Sequence, residues 1–236
     1  MQLKLIMNAF ETLRIKFPLR PLLVPVPMPQ RIAYRSNTTT STNDYILKHP
    51  TTSSVNPIVG ATLPEILWSN LSKFESLPAY ECAESGRKYT HHEVYKLSRN
   101  FATSLLHSGL SQNDVVGIIL PNTPEYPIAI IGIWSAGLIA TTVNPIYTQD
   151  EIAHQLNCSG AKAVVTTNNC LPILQNIQRS EGSCLRLIIV VSTPAPPRWA
   201  HSFFDMTKTK VDENILLKSS GGFDAREQIA AIPYSS

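Results

Sequence analysis

The chain has 236 residues, an apolar share of 43%, 16% charged residues and a formal charge of +3, an ordinary globular composition. Residues 1–43 set Lys4, Arg14, Lys16, Arg20, Arg31 and Arg35 against Glu11 alone, a net +5, which leaves −2 for the rest. The basic character therefore belongs to the leader, and the body has no basic stripe, which excludes a nucleic-acid binder. Cys82, Cys158, Cys170 and Cys184 are scattered with no Cys-x-x-Cys pair, so they read as free thiols.

Leu3, Ile6, Phe10, Leu13 and Phe17 fall on one helical face, interleaved with Lys4, Arg14 and Lys16, and Pro18 stops the pattern. Pro18 is the first of five prolines up to Pro29, and a Ser/Thr run over residues 36–42 follows. Lys16 and Arg20 interrupt any secretory apolar core. The composition reads either as a mitochondrial transit peptide or as a disordered linker with chance periodicity. Cytoplasmic and peroxisomal locations are the alternatives. A fluorescent reporter fused to residues 1–43 is expected to reach mitochondria, and a diffuse cytosolic signal would reject the transit reading. The predicted division is a leader over 1–50 and a body over 51–236.

Three stretches put Thr three residues before Glu: Thr62 and Glu65, Thr90 and Glu93, Thr148 and Glu151. Each predicts a capping box, in which the hydroxyl accepts the third amide and the carboxylate reaches back to the cap amide. The predicted elements follow in order. A helix over 64–74 leads into a hairpin of 79–83 with 87–89 around Ser85-Gly86. A helix over 91–107 buries Val94, Leu97, Phe101 and Leu105 and is capped by Gly109. A strand over 115–120 precedes an apolar helix over 124–137 and a strand over 139–143. A helix over 149–158 closes near Gly160. Strands over 163–166 and 185–191 flank a short helix over 171–177. Residues 194–197 read as a loop and 205–222 carry no clear pattern. A last strand is expected at 229–232. Continuous Val/Ile strands alternating with helices predict an α/β fold, a mostly parallel sheet with helices on both faces. Residues 126–148 contain no charge, yet Pro127, Gly132, Gly137, Asn144 and Pro145 interrupt them, so they read as helix plus strand and not as a transmembrane segment.

Chemistry-bearing residues are few. His91-His92 sit in a first helical turn without metal-ligand spacing. His154 has no nucleophile placed with it. Gly221-Gly222 is too sparse for a phosphate loop, and no Gly-x-Gly-x-x-Gly follows a strand, so a dinucleotide-binding dehydrogenase is unsupported. The best candidate is Pro233-Tyr234-Ser235-Ser236: hydroxyls and amides leaving a parallel strand face the sheet's carboxyl rim, where α/β folds bind ligands.

Taken together, Tyr89-Thr90-His91-His92-Glu93-Val94, the run from Ile133 to Gly137, and the run from Val143-Asn144-Pro145-Ile146-Tyr147-Thr148 to Leu156 resemble adenylate-forming acyl-CoA synthetases. The 4-coumarate–CoA ligase and luciferase-like branch is the nearest in flavour, over roughly residues 63–236. The resemblance implies a large N-terminal AMP-binding domain and a two-step reaction. ATP with Mg²⁺ converts a fatty or aromatic carboxylic acid to an acyl-adenylate, and coenzyme A takes the acyl group. It implies that Ser235 and Ser236 open the ATP-phosphate loop, while the other nucleotide, acid and magnesium contacts follow that loop. The chain therefore reads as a fragment of such a ligase that binds no cofactor productively alone. The alternative is a non-catalytic module that associates, with itself or a partner, through an unfinished sheet edge.

Overall fold

The computed structural model describes residues 60–191, 195–220, 224 and 226–234. The leader, the Gly221-Gly222 turn, and Ser235 and Ser236 lie outside the described residues. In chain order the elements are α1 (Leu63–Trp68), α2 (Leu71–Phe74), β1 (Pro78–Glu81), β2 (Lys88–Thr90), α3 (His91–His107), β3 (Val115–Ile119), α4 (Glu125–Ser135) and β4 (Ile139–Thr142). They continue with α5 (Gln149–Ser159), β5 (Ala161–Thr166), a 3₁₀ turn (Asn168–Cys170), α6 (Leu171–Arg179), β6 (Leu187–Val190), β7 (His201–Ser202), α7 (Phe203–Met206) and α8 (Glu213–Ser220).

The five-stranded sheet has the order β4-β3-β5-β6-β7, and every neighbouring pair is parallel. Side chains alternate along each strand, so β3 sends Val116 and Ile118 to one face and Val115 and Ile119 to the other. The first face packs on α3, α4, α7 and α8 through Phe101, Leu105, Ile128, Ile133, Phe203 and Leu216. The second packs on α5 and α6 through Ile152, Leu156, Leu174 and Ile177. Both faces of the strands are covered, which is why their sequences are unbroken apolar runs. β1 and β2 form a separate antiparallel hairpin.

The capping boxes hold α3 and α5 as expected. The Glu93 amide donates to Thr90 Oγ1 (3.2 Å) and the Thr90 amide to Glu93 Oε2 (2.7 Å). The Thr148 and Glu151 pair repeats this at 3.4 and 2.7 Å. At Thr62 both the amide and the hydroxyl donate to Glu65, at 2.7 and 2.9 Å. These bonds hold the Glu65 and Glu151 carboxyls below their ordinary range. The end of α4 is a Schellman motif: Gly137 sits at φ 69°, its amide donates to the Trp134 carbonyl, and the Leu138 amide donates to the Ile133 carbonyl. That turn sends the chain directly into β4.

Four expectations need correction. The helix predicted over 64–74 is two helices, because Ser69 Oγ donates back to the Ile66 carbonyl (2.8 Å) and competes with helix continuation. Leu97 is only partly buried, packed at the margin of the core. Of the stretch 205–222, the described part to residue 220 is patterned after all: Ser202 Oγ caps α7 by accepting the Asp205 amide (3.2 Å), and Asp212 accepts the Asn214 and Ile215 amides at the start of α8. The strand predicted at 229–232 is a single parallel bridge, Ala140 to Ala231.

The uncharged stretch from Tyr126 to Thr148 is the helix and strand expected, α4 and β4. No helix among the described residues is long and apolar enough to cross a membrane. All four cysteines are free.

Candidate functional site at the carboxyl rim

Parallel strands end on one rim, and here that rim is formed by the residues leaving β3, β4 and β5 and by the closing segment 230–234. The closing segment joins the sheet outside β4. Its backbone makes two bonds with Ala140: the Ala140 amide donates to the Ala230 carbonyl (3.0 Å), and the Ile232 amide donates to the Ala140 carbonyl (2.9 Å). Side chains add two more. Trp134 Nε1 donates to the same Ala230 carbonyl (2.8 Å), and Thr141 Oγ1 donates to the Ile232 carbonyl (2.9 Å). Pro233 follows, which fixes its own φ and restricts Ile232 to extended conformations. These contacts set the direction in which the chain enters Pro233. Tyr234 hydrogen-bonds Cys158 on α5, which pushes its phenol pKa up.

The rim is neutral. Segments 119–124, 142–148, 166–169 and 230–234 contain no Lys or Arg. Two helix N-termini that approach it already hold carboxylates. Glu151 occupies the cap of α5. Glu125, in the first turn of α4, has no solvent exposure; it accepts from Arg87 Nη2 (3.2 Å) and Tyr89 Oη (2.9 Å) across from the hairpin. Burial and the neighbouring Glu125 charge push the Tyr89 phenol up to about 12. These helix ends are therefore closed to an incoming anion, whose charge would repel the resident carboxylate. Hydroxyls and main-chain amides are what the described rim offers. Thr123 Oγ1 is one of these, buried without a hydrogen-bond partner.

His91 and His92 make local contacts, and His154 makes none among the described residues that would activate a nucleophile. His92 Nδ1 lies 3.0 Å from Glu75, the His91 ring packs near Phe74, and His154 is exposed. No three His, Cys, Asp or Glu side chains among the described residues could hold a metal ion. Sequence reasoning missed Glu125. Its one signal is its position bordering the uncharged stretch; its partners lie 36 and 38 residues upstream.

A parallel sheet covered by helices on both faces, with its last segment tethered beside β4, defines an open α/β domain, a class that binds ligands at the strands' carboxyl ends. The chain belongs to the AMP-binding enzyme family, whose model matches residues 67–236. It is 27% identical over 175 residues to a 4-coumarate–CoA ligase of Arabidopsis thaliana, covering 74% of this chain and 31% of that protein. It is 35% identical over 136 residues to a long-chain-fatty-acid–CoA ligase of Escherichia coli O157:H7, covering 57% and 24%. Its fold is that of a red-emitting luciferase from Phrixothrix hirtus, with TM-score 0.65 and 23% identity over 77% of this chain and 44% of that one. The chain spans about a third or less of the length of these two curated relatives.

Proposed function

We propose that this chain is the scaffold part of an ATP-dependent acid–CoA ligase, a fragment that contributes the sheet and the opening of the phosphate loop. The observation that carries the reading is the parallel bridge between Ala140 and Ala231, which brings the chain to Pro233 at the carboxyl rim. The substrate class is a carboxylic acid, fatty or aromatic, as the names of both curated relatives suggest.

The described rim does not fit Mg-ATP by itself. A triphosphate needs cations and aimed donors around its charge, and the described rim carries no cation and two helix ends closed by Glu125 and Glu151. The 236-residue chain is therefore expected to bind none of ATP, Mg²⁺ and coenzyme A productively. The test is acid-dependent ATP–pyrophosphate exchange by the purified chain across a panel of fatty and aromatic acids. Exchange at background level is the expected result. Exchange above background that saturates with one acid would refute the reading of the chain as a scaffold part.

A further inference from the structure

The closing segment is held more firmly than one bridge requires. Backbone pairing with β4 supplies two hydrogen bonds, and a third and fourth come from the side chains of Trp134 on α4 and Thr141 on β4. Ala230 O uses both its lone pairs, one for the Ala140 amide and one for the Trp134 indole. Thr141 is fully buried and Gln155 is 3% exposed, positions where an apolar residue would pack at least as well. Thr141 Oγ1 donates its proton to Ile232 O and accepts from Gln155 Nε2 (3.2 Å). Gln155 Nε2 spends its other proton on the Thr142 carbonyl (2.8 Å). A buried hydroxyl and amide thus form a closed relay from α5 through β4 to the closing segment. A buried polar network of this kind is stabilising only when every member is satisfied, and it then permits one arrangement.

We propose that Thr141, Gln155 and Trp134 are positioning residues for the phosphate loop. They fix the two carbonyls flanking Ala231, and so the direction in which the chain enters Pro233. The inference rests on the reading of residues 233–236 as the start of that loop. A valine at 141 would have nearly the same volume and the same core contacts, but would release Ile232 O and leave one of the two Gln155 Nε2 protons unpaired.

The test is amide hydrogen exchange on the 236-residue chain with Thr141→Val, Thr141→Ser and Trp134→Phe, together with the indole N–H resonance of Trp134. Thr141→Val is expected to speed exchange at Ile232 roughly tenfold while β3 and β5 keep their protection. It should also shift the Trp134 indole resonance, because loosening Ile232 loosens Ala230. Thr141→Ser should restore both. Trp134→Phe should speed exchange at Ala140, whose amide shares the Ala230 carbonyl. Unchanged exchange at Ile232, a loss of protection spread evenly over the sheet, or failure of serine to rescue would each overturn the proposal. No readout involves nucleotide, so this result stands apart from the pyrophosphate-exchange test of the functional reading.

Discussion

Gly132→Ala is expected to destabilise the chain, although it replaces glycine by alanine inside a helix. Helix propensity alone predicts a gain of about 1 kcal/mol. Packing opposes it. A Cβ at residue 132 would lie 2.8 Å from Phe101 Cδ1 and 2.9 Å from the Ser98 carbonyl oxygen. Phe101 is itself fully buried against Phe203, with ring centroids 4.8 Å apart, so it has nowhere to retreat. The Ser98 oxygen is backbone, so relief requires α3 and α4 to separate. Overpacking of this kind costs about 1–3 kcal/mol, which outweighs the propensity term at most of that range. The net is a loss of up to about 2 kcal/mol, which lowers the thermal midpoint by up to roughly 8 °C for a domain of this size. Circular dichroism melts of the two proteins decide it. A midpoint raised by the mutation would mean that α3 and α4 do not approach this closely. Gly132→Leu should leave the chain unable to fold, because its extra volume has no compensating space.

The Arg87, Tyr89 and Glu125 cluster carries the second large effect, and the sign is set by burial. Glu125 is wholly excluded from solvent, whereas the Arg87 side chain is 44% exposed. Arg87→Met leaves a buried carboxylate supported only by Tyr89 and the first turn of α4, at a cost of about 3 kcal/mol. Glu125→Gln is milder, about 1–2 kcal/mol, because the amide keeps a hydrogen bond to Tyr89 and Arg87 can turn to water. The double variant should cost little more than Glu125→Gln alone, which gives a coupling close to the Arg87→Met cost, about 3 kcal/mol. Urea unfolding of the four proteins measures this. Equal costs for the two single variants, or additive costs in the double, would show that the carboxylate reaches solvent.

Local chemistry made part of the fold legible before any coordinates. The limits of α3 were readable because a capping box at Thr90 and Glu93 and a glycine at 109 bracket it. The sheet strands were readable because burial on both faces forces continuous Val/Ile runs. What failed depended on partners distant in sequence. The bridge at Ala231 takes its partner 91 residues upstream, and an apolar tetrad cannot state whether it will form a ladder or one bridge. α8 escaped notice because Asp212 caps it without a glutamate or glutamine three residues on. The break after α1 arises from one serine hydroxyl, which a period of 3.6 does not register. The site was legible as a direction only. Thr141, Gln155 and Trp134 look like unremarkable members of β4, α5 and α4 until their hydrogen bonds are traced to Ile232 and Ala230.

The central claim is that the closing segment lies parallel to β4 and carries the chain to the carboxyl rim. Interstrand nuclear Overhauser effects test it most directly. The account predicts contacts from Ala231 and Ile232 to Ala140 and Thr141 in parallel register, with a protected Ile232 amide. Antiparallel contacts, or an Ile232 amide that exchanges at the unprotected rate, would contradict it.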